Sequence, residues 1–126
     1  TRRSFNRLNM EGKYLYFANA IGGDGFDQNE MITYPATALR AIEPADGGTT
    51  LNLWFNPAEF TTVAASDDAD LIQLTVTALK HKDVIRAIVN AIKVPSTQGL
   101  VVVADEVNSV YLHANITAVA AITKAA

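Results

Sequence analysis

Apolar and polar residues alternate along this chain in short bursts, broken by clusters of glycine, proline, aspartate and asparagine. That rhythm predicts a domain built mainly of strands. Tyr14 to Ala20 (YLYFANA) is aromatic and alternating, as expected of a strand on a pleated, half-buried surface. Met31 to Ile42 sets Ile32, Tyr34, Leu39 and Ile42 around Pro35, and a proline inside such a pattern predicts an edge, a bulge or a break. Glu43 to Thr50 (EPADGGTT) reads as a turn, with Asp46-Gly47 as a hairpin signal. Leu51 to Phe55 (LNLWF) alternates until Asn56-Pro57 ends it, and Leu71 to Leu79 (LIQLTVTAL) is a β-branched strand. Leu100 to Ala104 (LVVVA) is continuously apolar, which predicts a fully buried strand. Tyr111 to Thr123 reads as one or two strands, although its alanines leave a helix open.

The period changes once. Between Lys82 and Lys93, Val84, Ile85, Ile88, Val89 and Ile92 fall at the spacing of an amphipathic helix. Asp83 in its first turn and Lys93 in its last suit the helix dipole, and Pro95 stops it. The expected burial is of Val84 or Ile85 with Ile88, Val89 and Ile92, leaving Arg86 and Asn90 outside. The fold class is therefore α+β, mostly antiparallel β, with about six or seven strands in a sandwich or curved sheet and one helix at 82–93. Alternating βα units are absent, which argues against a Rossmann-like fold.

Charge divides the chain in two. Residues 1–13 carry Arg2, Arg3, Arg7 and Lys13 against Glu11, a balance of +3, while the remainder holds six basic and twelve acidic residues, a balance of −6. Residues 1–12 show neither helical nor strand periodicity and read as an extended arm ahead of a single β-rich domain at 13–126. An arm that cannot form a core, yet concentrates positive charge, is expected to dock on a partner surface, with packing back on its own acidic body as the alternative. Arg2, Arg3 and Arg7 would pair acidic or carbonyl groups there, since a planar guanidinium can hold a carboxylate at two points. Phe5 and Leu8 would be its apolar anchors. Three arginines on an acidic body make a weak footprint for nucleic acid. No apolar run approaches the ~20 residues that cross a bilayer, and no leader with a small-residue cleavage site is visible. The lack of cysteine excludes disulfides and thiolate chemistry and fits synthesis in a reducing cytosol.

Candidate chemistry is sparse. Gly22-Gly23-Asp24-Gly25-Phe26-Asp27 begins like a calcium-binding nonapeptide, but such motifs work as stacked copies and this chain has one. Phe26 and Gln28 also occupy positions where an EF-hand loop needs oxygen ligands. The acidic tip Asp67, Asp68, Asp70 reads as a solvated loop. His81 and His113 have no metal-ligand spacing, so His81 reads as part of a polar helix start and His113 as a hydrogen-bonded or interface residue. Asp105 and Glu106 are adjacent and would point to opposite faces of a strand. No nucleophile elbow, phosphate loop or dinucleotide fingerprint occurs. Expected, then, are no catalytic residues, no cofactor and no metal, with a ligand-binding module and an enzyme as the competing classes.

The stretch from Met31 to Thr123 resembles a loose family of small virion structural proteins of tailed bacteriophages, notably marine phages and cyanophages. The likeness is carried by Ile32-Thr33-Tyr34-Pro35, the strand-turn-strand around Leu51 to Phe55, Leu74-Thr75-Val76-Thr77 and Leu79-Lys80-His81-Lys82-Asp83. It continues through Val101-Val102-Val103-Ala104-Asp105, Tyr111-Leu112 and Asn115-Ile116-Thr117. The resemblance implies a capsid decoration or cement protein on the virion surface, partnered by the major capsid protein or by copies of itself. A tail, neck or fibre-associated protein is its sibling.

Overall fold

The computed structural model describes residues 12–20, 30–57, 69–94 and 99–124. Among these residues eight strands form two four-stranded sheets. The first sheet runs β2 (Met31–Pro35), β1 (Tyr14–Ala18), β6 (Leu100–Asp105), β7 (Val110–Tyr111); the second runs β3 (Leu39–Pro44), β4 (Thr50–Phe55), β5 (Asp70–Val76), β8 (Ile116–Thr123). Every pairing is antiparallel except that of β1 with β6. The strand count slightly exceeds the expected one. Pro35 and a 3-10 turn at Ala36–Ala38 split the Met31–Ile42 segment, so that it serves both sheets. A turn around His113 splits Tyr111–Thr123 into β7 and β8.

One core lies between the sheets. Leu15, Phe17, Ile32 and Tyr34 enter it from the first, and Leu51, Leu53, Phe55, Ile72 and Leu74 from the second. Where the sheets meet, the Phe55 ring stacks on Tyr34 at 4.2 Å and takes Phe17 edge-on at 5.8 Å. The helix α1 (His81–Lys93) buries Val84, Ile88 and Ile92 against this core, leaves Ile85 and Val89 half-buried, and exposes Arg86 and Asn90. The helical stripe follows the periodicity, except that Val89, expected inside, is only half-buried.

The helix is tied at both ends. Near its start the His81 ring meets the Thr50 carbonyl of the second sheet at 3.1 Å. At its far end the buried Lys13 amine, just ahead of β1, donates to the carbonyls of Ala91 and Val94. A cation on the last carbonyls of a helix satisfies groups that have no intrahelical partner and complements the dipole. Lys13 thus belongs electrostatically to the helix, not to the basic arm with which its charge groups in the sequence.

Two local expectations need correction. The strand through Leu71 ends at Val76; Leu79 lies in the turn before α1, with φ 65° and 85% exposed. The run from Leu100 is not fully buried either. Val103 and Ala104 are, but Leu100 is 51% exposed and Val101 and Val102 are half-exposed. The reason is topological, because β7 covers only the Ala104–Asp105 end of β6.

Candidate functional site

The polar side chains that the fold buries are occupied in holding it. Tyr34 donates to the Asp70 carboxylate at 2.6 Å, joining β2 to β5 through the core. Burial, then the hydrogen bond to Asp70 and its negative charge, push the Tyr34 hydroxyl far above the usual tyrosine range. Asp105 accepts from the backbone and side-chain nitrogens of Asn108, closing the turn into β7. Glu106 accepts from the N–H groups of Ala20 and Val119 and so bridges the two sheets. These adjacent carboxylates serve separate structural ends. His113 accepts from the Asn115 N–H within its turn. Among the described residues every buried side-chain nitrogen or oxygen has a partner, and no three His, Asp or Glu side chains converge as metal ligands.

On the first sheet the described surface presents an apolar row. On β1, Leu15 and Phe17 face the core, so the strand period turns Tyr14 and Tyr16 outward. Their register partners are outward too. Tyr14 lies beside Pro35 on one side and Leu100 on the other, and Tyr16 lies between Thr33 and Val102. Tyr14 is 47% exposed. These six outward positions carry no charge and, apart from the exposed Thr33 hydroxyl, are aromatic or aliphatic. At the β7 end of the sheet, desolvation and the Asp105 carboxylate raise the Tyr16 hydroxyl. Desolvation, Glu106 and Asp105 do the same for Tyr111. Both phenols stay neutral donors at physiological pH.

Beside this face a groove of about 330 Å³ runs along the outer edge of β6. Leu100, Val101 and Val102 form one side, with Ala91 and Val94 from the end of α1, Leu112, and the stem of Lys13 around it.

Most of the site residues expected from the sequence fall elsewhere. Arg2, Arg3, Phe5, Arg7 and Leu8, the Asp24 and Asp27 loop, and Asp67 and Asp68 lie outside the described residues. Asp70, expected in an exposed acidic tip, is instead buried under Tyr34. The apolar face went unread in the sequence, yet YLYF carries its signal. Apolar residues at consecutive strand positions put hydrophobic surface on both faces. No helix among the described residues is long and apolar enough to cross a membrane. No protein-family model, curated protein or solved structure matches this chain.

Proposed function

We propose that this chain is a non-catalytic structural subunit of a virus particle, a decoration or cement protein that bridges neighbouring major capsid subunits. The observation that carries the reading is the row of uncharged outward positions on the first sheet, with Tyr14 and Leu100 each about half exposed. Aromatic-rich apolar surface of this kind is what protein interfaces use. The resemblance of the Met31–Thr123 segment to small phage virion proteins supplies the kind of partner. The buried polar groups add support, since each is committed to the fold.

Purified protein mixed with phage particles tests the reading. The expected result is saturable binding at hundreds of copies, in fixed ratio to the major capsid protein. Saturation at a few dozen copies would move the protein to the neck or tail. Absence of any particle association would end the virion reading.

A further inference from the structure

Between β5 and α1 the chain turns sharply over Thr77–Lys80, and the Lys80 N–H closes the turn on the Thr77 carbonyl at 3.0 Å. Leu79 occupies the third position of this turn, with φ 65°. Positive φ at that position asks for glycine or asparagine, because a bulky side chain brings its Cβ against the following carbonyl. A single exposed leucine is ordinary. One that is 85% exposed and held in left-handed backbone is not, since its side chain strains the turn and buries almost nothing in return. Ser109 is the other such residue apart from glycine among the described ones, and it is small.

The next residues repeat the pattern. Lys80 is the N-cap of α1 and makes no side-chain cap bond, where serine, threonine, aspartate or asparagine would accept from the first helical N–H groups. Lys82 puts a second exposed cation at the positive end of the helix dipole; Asp83 is the acidic residue of that turn that suits it. Leu79, Lys80 and Lys82 are thus each a poor local choice, and all three are exposed. Local rules broken together, with no compensating contact in the fold, mark a site whose use lies outside it.

The turn is nevertheless braced. The Thr77 N–H donates to the Asn115 carbonyl at 2.8 Å and the Leu79 N–H to the Gly48 carbonyl at 3.3 Å. Leu79, its chain neighbours and these partners all lie among the described residues. An apolar side chain presented on a braced turn loses little backbone freedom when it is bound. It stands at the start of α1, whereas Tyr14 follows Lys13, whose amine caps the far end. The 13-residue helix between them is about 20 Å long. A subunit that bridges its neighbours needs two separate contacts, and the apolar row of the first sheet supplies one.

We propose that Leu79 is an anchor that enters an apolar pocket on a partner protein, with Lys80 and Lys82 pairing carboxylates on the pocket's rim. The cationic edge is the helix side, since the adjoining hairpin carries Asp46. On the virion reading this is the second contact of the bridging subunit, and the pocket belongs to a major capsid protein. The inference rests on that reading for the partner's identity alone.

Two variants correct the local choices: Leu79→Gly, and Lys80→Ser with Lys82→Glu. Both are expected to melt at or above the wild-type temperature, read by calorimetry. Sedimentation with phage particles should show binding weakened about tenfold or more in the first, and weakened with a flatter salt dependence in the second. Leu79→Met keeps an apolar side chain and should bind within about threefold of wild type. A glycine variant that melts lower would make Leu79 a fold residue and overturn the proposal. Unchanged binding in either corrected variant, with wild type bound, would overturn it too and leave the virion reading intact. Wild-type protein that ignores particles would end that reading and take this contact with it.

Discussion

The two sheets share a core but differ on their outer faces. On the second sheet several outward side chains make polar contacts, although Leu71 also faces out. Asn52 accepts from Gln73 at 3.2 Å, the Trp54 indole donates to Glu43 at 3.1 Å, and the Thr117 hydroxyl donates to the Thr75 carbonyl at 3.2 Å. On the first sheet the corresponding positions hold Tyr14, Tyr16, Pro35, Leu100 and Val102, with Thr33 among them. Cross-strand polar pairs stabilise a sheet that faces water. An apolar outer face gains nothing until something covers it. The second sheet is finished as a solvent surface, and the first is finished only in contact. That difference is what the proposed contact through the first sheet rests on.

Substitutions can break the comparison at its foundation or sharpen it at its surface. The largest effect is expected in the shared core. Ile88 is fully buried on α1, the helix that His81 and Lys13 tie to opposite sheets. Ile88→Ala should cost about 2–5 kcal/mol through lost transfer energy and a residual cavity. Chemical denaturation measures it. Both sheets should melt together in the variant; separate transitions would mean that the core does not join them.

A second, smaller effect tests the Tyr34–Asp70 link. Tyr34→Phe removes a hydrogen bond to a carboxylate and should cost about 1.5–3 kcal/mol at neutral pH. The pH dependence has a definite sign. The folded-state pKa of Tyr34 lies above its ordinary value of 10.0, so its contribution is complete below pH 10. Above that the unfolded chain releases a proton which the native state keeps. Stability then falls by about 1.4 kcal/mol per pH unit from this group. Denaturation from pH 9 to 11.5 should show that decline in the wild type and a shallower one in Tyr34→Phe. Tyr16 and Tyr111 are also raised and account for the residual slope. Equal slopes would remove Tyr34 as the titrating group.

How much of this was legible in the sequence follows from the range of each interaction. The helix was, because Val84, Ile88 and Ile92 repeat within one element. So was the β3–β4 hairpin, where Gly47 and Gly48 adopt φ of 110° and 81° that other residues resist. The exposed edge of β6 was not. A run such as LVVVA tells a strand of its apolar character but not which neighbours the topology supplies, and here β7 stops two residues short of Val102. The Lys13 cap joins residues 78 and 81 positions apart, and no local pattern marks it. Asp70 was hidden likewise, since its neighbours Asp67 and Asp68 give it the look of a solvated tip, while its partner Tyr34 lies 36 residues away.

The smallest effect on stability is the most informative about the two faces. Asn52→Lys on the second sheet breaks the Gln73 contact and should cost about 1 kcal/mol, yet leave particle binding unchanged, because that face is complete in itself. Tyr14→Lys on the first sheet removes a half-exposed ring that has no side-chain hydrogen bond among those described. Its long aliphatic stem still covers part of the same surface, so stability should stay within about 0.5 kcal/mol of wild type, as for surface changes generally. Binding to particles should nevertheless weaken by tenfold or more, since a charge would have to be buried in an apolar contact. Calorimetry on the free protein and sedimentation with particles read the two quantities separately. If Tyr14→Lys lost stability and kept its binding, the ring would be a fold residue. The contrast between the faces would then carry no functional meaning.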